Sequence, residues 1–203
     1  MCGKEKRAKY IERNCELLQE FSFAHPAVKC NLNRIYNSSF SGSVLWDLSS
    51  VNANQVVNSW SYSVREMWDL PYNAHRYLIE ELSGTHAKSM LISRFVKFVQ
   101  SIKKSSKMAV QFVLQKVMHN KNTLTGKNVH YVLSELKKSE ISEISPADLR
   151  NHQYCPISEE NKWRIDILKE LTNLKKKVLT VGDDDTFFSD DEITDVINYV
   201  ATS

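Results

Sequence analysis

Apolar residues recur along this chain at helical spacing, and almost nowhere at the alternate-residue spacing of a strand. Residues 4–20 carry Ala8, Ile11, Cys15 and Leu18 on one predicted face, with Lys, Arg and Glu between them. His25-Pro26 breaks the pattern and opens a second helix over 26–37, with Val28, Leu32, Ile35 and Tyr36 as its apolar face. Asn37 to Ser43 is a breaker stretch, followed by the short apolar patch Val44-Leu45-Trp46-Asp47-Leu48. Residues 52–69 predict a third helix with Val56, Val57, Trp60, Val64, Met67 and Trp68 inward, stopped by Asp69-Leu70-Pro71. Tyr72 to Leu82 reads as a short helix or two turns. Residues 87–102 then place Leu91, Ile92, Phe95, Val96, Val99 and Ile102 on one face. Lys103 to Lys107 is a turn. Helices follow at 108–119, with Val110, Val113, Leu114 and Val117 apolar, and at 128–138, with a Gly126-containing loop between them. Residues 139–154 are mixed and polar. Residues 158–176 form a helix with acids in its first turn and lysines at its end, where they suit the helix dipole. Ser189-Asp190-Asp191-Glu192 is a capping-box pattern opening a last helix with Ile193, Val196, Ile197 and Val200 inward. The expected fold is all-α, with strand content left open only around 40–48 and 178–181.

Composition narrows the class. Apolar residues are 42% of the 203, enough for a core, yet no window approaches a membrane span, and no apolar segment follows the charges at the N-terminus. The expectation is an intracellular protein, in nucleus or cytoplasm, without signal peptide or membrane contact. Cys2, Cys15, Cys30 and Cys155 have no framework spacing and read as free thiols. Trp46, Trp60, Trp68 and Trp163 sit on apolar faces and read as core anchors.

Charge changes the picture more. Residues 1–87 are balanced, residues 88–138 carry eleven Lys/Arg against the single acid Glu135, and residues 139–203 carry seven against fourteen. No acidic side chain occurs from Lys88 to Ser134. Such a stretch needs a polyanion, an acidic surface or a reason to tolerate self-repulsion. Within it Arg94, Lys97, Ser101 and Lys104 share a helical face opposite the apolar set, and Lys103 and Lys107 extend the positive field into the turn. That stripe would position a nucleic-acid backbone without reading its sequence. The bland alternative is a solvated lysine face. His75-Arg76, beside Tyr72 and Tyr77, suits a sugar–phosphate contact or stacking on a base, and equally a capping pair that packs a turn. Arg65 is expected on the exposed face of the third helix.

Other chemistry is sparse. Asp183-Asp184-Asp185 lies between a Gly182 turn and a helix cap, without the rigid scaffold that a two-metal site requires, and reads as a solvated loop. His152 and Cys155 supply only half of a zinc set. There is no phosphate loop, dinucleotide fingerprint or serine elbow. No cofactor, metal or catalytic residue is expected.

Three phrases occur in order: Asn33-Arg34-Ile35-Tyr36-Asn37-Ser38-Ser39-Phe40-Ser41-Gly42-Ser43-Val44-Leu45-Trp46-Asp47-Leu48, then Asp69-Leu70-Pro71-Tyr72-Asn73-Ala74-His75-Arg76-Tyr77-Leu78-Ile79-Glu80 with Leu82-Ser83-Gly84, then Arg94-Phe95-Val96-Lys97-Phe98 with Ser101-Ile102-Lys103-Lys104-Ser105-Ser106-Lys107. Together they resemble the region downstream of the polymerase palm in non-LTR (LINE-type) retrotransposon reverse transcriptases, from about residue 4 to the C-terminus. The resemblance implies a thumb-like helical region at 4–82, a basic helical region at 86–138 and an acidic helical tail at 139–203. It implies a grip on RNA, DNA or an RNA–DNA hybrid, with the family's palm, which carries its catalytic aspartates, as a further partner. The palm and endonuclease are not matched, so the chain alone is expected to lack polymerase activity. The rival expectation is a helical interaction module whose stripe docks an acidic partner, or its own tail folded back over 158–201.

Overall fold

The computed structural model describes residues 3–37, 40, 42–151, 158–181 and 189–202. Cys2, His152, Cys155 and Asp183 to Asp185 lie outside the described residues. Ten α-helices and no strand among the described residues make the fold all-α. They are α1 (Gly3–Glu20), α2 (Pro26–Leu32), α3 (Val51–Trp68), α4 (Arg76–Ser83), α5 (Ala87–Lys103), α6 (Met108–His119), α7 (Leu124–Leu136), α8 (Pro146–Asn151), α9 (Lys162–Val181) and α10 (Asp190–Thr202). Among the described residues, the two segments left open for strands hold a short 3₁₀ turn (Ser43–Leu45) and the end of α9.

α3 is the central element, with α1, α2, α4 and α5 packed around it. The Ser50 hydroxyl caps its start by accepting from the Ala53 N–H at 3.2 Å. Asp69 ends it in the left-handed region at φ +53°, donating its N–H to the Arg65 and Glu66 carbonyls. All six expected inward residues of α3 are buried, and so are Ser59, Ser61 and Ser63. Those serines do not need outside partners. Each hydroxyl donates to the carbonyl four residues earlier, at 2.9, 3.2 and 3.0 Å respectively. The helix can therefore be buried on more than one side. α5 also follows expectation over most of its length, burying Leu91, Ile92, Phe95, Val96 and Val99, while Ile102 at its end is half-buried.

α1 and α2 do not bury the faces that their apolar spacing predicts. Ile11 and Cys15 are exposed, while Tyr10, Asn14 and Leu17 face the core. Val28, Ile35 and Tyr36 are exposed, while Cys30, Asn33 and Asn37 are buried. The reason is polar pairing by the buried amides, of Asn33 inside the core and of Asn14 with a carboxylate at its edge. Asn33 Nδ2 donates to the Tyr10 hydroxyl at 2.9 Å, and Asn14 Nδ2 donates to the Glu66 carboxylate at 3.2 Å. α2 also ends at Leu32, and residues Asn33–Asn37 continue as a π-helical turn. Burial pushes the Tyr10 phenol up to about 12 and the Cys30 thiol up to about 11.

α7 starts earlier than expected, because Thr123 Oγ1 caps it by accepting from the Gly126 N–H at 3.0 Å. Gly126 therefore lies in its first turn rather than in a loop. A Cβ there would stand 2.0 Å from the Asn120 carbonyl oxygen, so only glycine lets the helix abut the preceding turn. The buried Asn128 of α7 reaches far along the chain. Its Oδ1 accepts from Leu48 N–H at 2.9 Å and its Nδ2 donates to the Trp46 carbonyl at 2.7 Å.

At the C-terminal end, α9 and α10 pack on each other, and α9 meets α4. His75 N–H donates to the Ala201 carbonyl at 3.0 Å, and Arg164 Nη1 to the Val200 carbonyl at 3.2 Å. The capping box at Ser189 and Glu192 is formed, with Ser189 N–H to Glu192 Oε2 at 2.8 Å. Val196 and Trp163 are exposed rather than packed inward, Trp163 lying under the Arg164 guanidinium at 5.1 Å. One apolar core runs from Tyr10 to Ala201. No helix among the described residues is long and apolar enough to cross a membrane.

Replacing Asn128 with Leu removes both partners of the 46–48 loop while keeping the volume. The expected loss is about 2–4 kcal/mol in urea unfolding, because two backbone groups lose their hydrogen bonds in a largely buried setting. A loss below about 0.5 kcal/mol would contradict this account of the anchor.

Candidate nucleic-acid interface

α5 presents its cations by default. Its apolar set is buried against the core, so Lys97 is left on the outer face and Lys103 and Lys104 at the exposed end. His86 caps the start of the helix, its Nδ1 accepting from Lys88 N–H at 3.2 Å. The turn into α6 is held by a residue that charge patterning passes over. Gln111 Nε2 donates to the Lys103 carbonyl at 3.1 Å and to the Ser105 carbonyl at 2.6 Å. Ser105 Oγ accepts from the Lys107 N–H at 3.3 Å. Lys103, Lys104 and Lys107 are thus carried on a clamped turn rather than a loose one, all three exposed.

Arg94 differs from its neighbours in the stripe. Its guanidinium lies over the Phe40 ring at 5.7 Å and is half-buried, and burial lowers its pKa. Lys88 is paired with Glu135 at 2.8 Å and sits over the Tyr131 ring. The other cations of the acid-free stretch, Lys97, Lys103, Lys104, Lys107, Lys116, Lys121 and Lys127, are exposed, and among the described residues none is in an ion pair. Seven like charges without counter-ions in one 31-residue segment, five of them on α5, α6 and the turn between, give this part of the chain a positive field that attracts anions and weakens with salt.

The remaining predicted residues lie elsewhere. Arg65 is half-buried rather than on an open face. Its Nη2 donates to the Ala74 carbonyl at 3.3 Å, and burial together with the nearby Arg76 charge lowers its pKa. His75 occupies the N-cap position of α4 without a side-chain cap bond, its ring stacked on Tyr77 at 5.3 Å. Arg76 is exposed, with Nη2 3.5 Å from His86 Nε2. The structure brings Arg65 and Arg76 together along one cleft, and no stripe residue lines it.

α6 adds a feature that apolar spacing does not predict. Of its expected inward set only Leu114 is buried. Val110 and Val113 are exposed, as are Met108 at 82% and Phe112 at 59%. With Leu45, Phe98 and Ile102, α6 borders an apolar groove of about 400 Å3. The face is apolar, its nearest sequence neighbours are lysines, and acids are absent from the segment. No group of three or more His, Cys, Asp or Glu residues that could hold a metal occurs among the described residues.

Phe112→Ser and Val113→Ser should leave stability within about 0.5 kcal/mol of the parent while lowering the binding of an apolar dye such as ANS. Leu114→Ala should cost about 2–4 kcal/mol in the same urea titration. Equal costs at the three positions would mean that α6 is packed on both faces. No protein-family model, curated protein or solved structure matches the chain.

Proposed function

We propose that the α5–α6 surface is a sequence-independent grip for RNA, DNA or their hybrid, acting as the thumb-like part of a reverse transcriptase whose palm lies outside this chain. The observation that carries the reading is the set of five exposed lysines without ion pairs on α5, α6 and the turn between them, Lys97, Lys103, Lys104, Lys107 and Lys116, three of them on the Gln111-clamped turn. Phosphate recognition needs fixed positive charge and no base contacts, which suits a helix that spends its apolar face on the core. The resemblance to the downstream region of non-LTR reverse transcriptases supports the same role and names the palm as a further partner.

A second reading draws on α6. An apolar groove with neighbouring lysines suits an acidic amphipathic helix, which would make the region a protein-docking module. The chain's own tail is a weaker occupant: the described parts of α9 and α10 are seated on each other and on α4.

Fluorescence anisotropy of a labelled RNA–DNA hybrid, titrated across a range of salt, separates the readings. Binding should weaken steeply with salt. Changing Lys97, Lys103, Lys104 and Lys107 to Gln should lower the slope of log affinity against log salt by about 3 to 4, near 0.9 for each phosphate left without its lysine. Arg94 is kept in this variant, because its packing on Phe40 ties it to the fold. No binding by the folded parent, or an unchanged slope in the variant, would sink the grip and leave the docking module.

A further inference from the structure

A second site stands apart from the α5–α6 surface. A cleft of about 680 Å3 lies between α1, α3 and the Pro71–Ala74 turn, and three arginines from three helices border it: Arg7, Arg65 and Arg76. A guanidinium has five N–H donors, and each of these uses few of them within the chain. Arg7 Nε donates to Ser59 Oγ at 2.9 Å. Arg65 donates once, to Ala74, and its Nε is buried without an acceptor. Arg76 makes the long contact to His86. Among the described residues none of the three is in an ion pair. The carboxylate that lines the cleft, Glu66, is engaged by Asn14 and by the Tyr62 hydroxyl instead, and burial raises its pKa. Arg65 is half-buried while Arg7 and Arg76 are exposed, and three cations around one cleft, none of them in an ion pair with its carboxylate, are stabilised by a multiply charged anion whose phosphate geometry guanidinium matches.

The rim supplies the second half of the recognition. Tyr62 is 54% exposed and Tyr72 86% exposed, both on this cleft. Exposed aromatic faces beside arginines suit a nucleobase, and the volume exceeds what a lone phosphate needs. We propose that this cleft binds a nucleotide unit through its phosphoryl group, with Arg7, Arg65 and Arg76 as donors and Tyr62 and Tyr72 as stacking faces for the base. The site does not depend on the α5–α6 grip, since the two share no residue.

The phosphoryl group has two sources, a free nucleotide or the end of a strand. Isothermal titration calorimetry of the full chain would use thymidine 5′-monophosphate, inorganic phosphate, and a short oligothymidylate with and without a 5′-phosphate. The phosphorylated oligomer should bind about tenfold tighter than its dephosphorylated form or more, as charge-assisted contacts to arginine require. Arg76→Gln and Tyr72→Ala, both at exposed positions, should each weaken the phosphorylated probe about tenfold without changing the thermal melt. The lysine variant of the α5–α6 surface should keep the phosphate-dependent difference. Binding of the mononucleotide as tightly as the oligomer assigns the cleft to free nucleotides, and binding of the oligomer alone assigns it to strand ends. Equal affinity with and without phosphate, no binding by the folded chain, unchanged affinity in Arg76→Gln and Tyr72→Ala, or loss of the difference in the lysine variant would each overturn the proposal.

Discussion

The fold depends on α3 being able to lie inside a bundle. A helix surrounded by α1, α2, α4 and α5 has to bury positions that no single apolar stripe covers. Val56, Val57, Trp60, Val64, Met67 and Trp68 fill the wide side with carbon. At the two edges of that side Ser59, Ser61 and Ser63 are buried as well, and their hydroxyls are satisfied by the helix's own carbonyls. With the interior resolved that way, α1 and the π-helical turn after α2 can present amides and a phenol to it rather than aliphatic side chains, and Asn33 meets Tyr10.

Burial and charge are then coupled in α5. Its apolar face is committed to the core, so each cation of the acid-free stretch has to find solvent or a special partner. Lys88 takes Glu135 and Arg94 takes the face of Phe40. Lys116 lies over the ring of Phe112, and among the described residues the lysines further along have no acid; Gln111 fixes the turn that carries three of them. The resulting surface combines positive charge with the exposed apolar side of α6.

The parts legible in the sequence are those where one face is carbon and the other charge. α3 and α5 show this, as do the exposed positions of Lys97, Lys103, Lys104 and Lys107. Spacing misplaces the faces of α1 and of residues 26–37 because Asn14 and Asn33 occupy core positions, and an amide counts as polar until its partner is known. Arg94 groups with the lysines in sequence because Phe40, the ring it packs on, lies far from it along the chain. The arginine cleft is hidden for the same reason: Arg7, Arg65 and Arg76 belong to three helices, and only packing brings them to one opening. Gly126 looks like a loop glycine, since its close approach to the Asn120 carbonyl is a property of the folded turn.

The most direct test of the central claim is residue-level mapping of the grip by amide resonance perturbation. The isotopically labelled chain is titrated with an RNA–DNA hybrid at low salt and the salt is then raised. The account predicts shifts concentrated over residues 97–111, spanning the end of α5, the clamped turn and the start of α6, reversed by salt and absent from α10. Shifts confined to α9 and α10, or a spectrum unchanged by a saturating amount of hybrid, would contradict it.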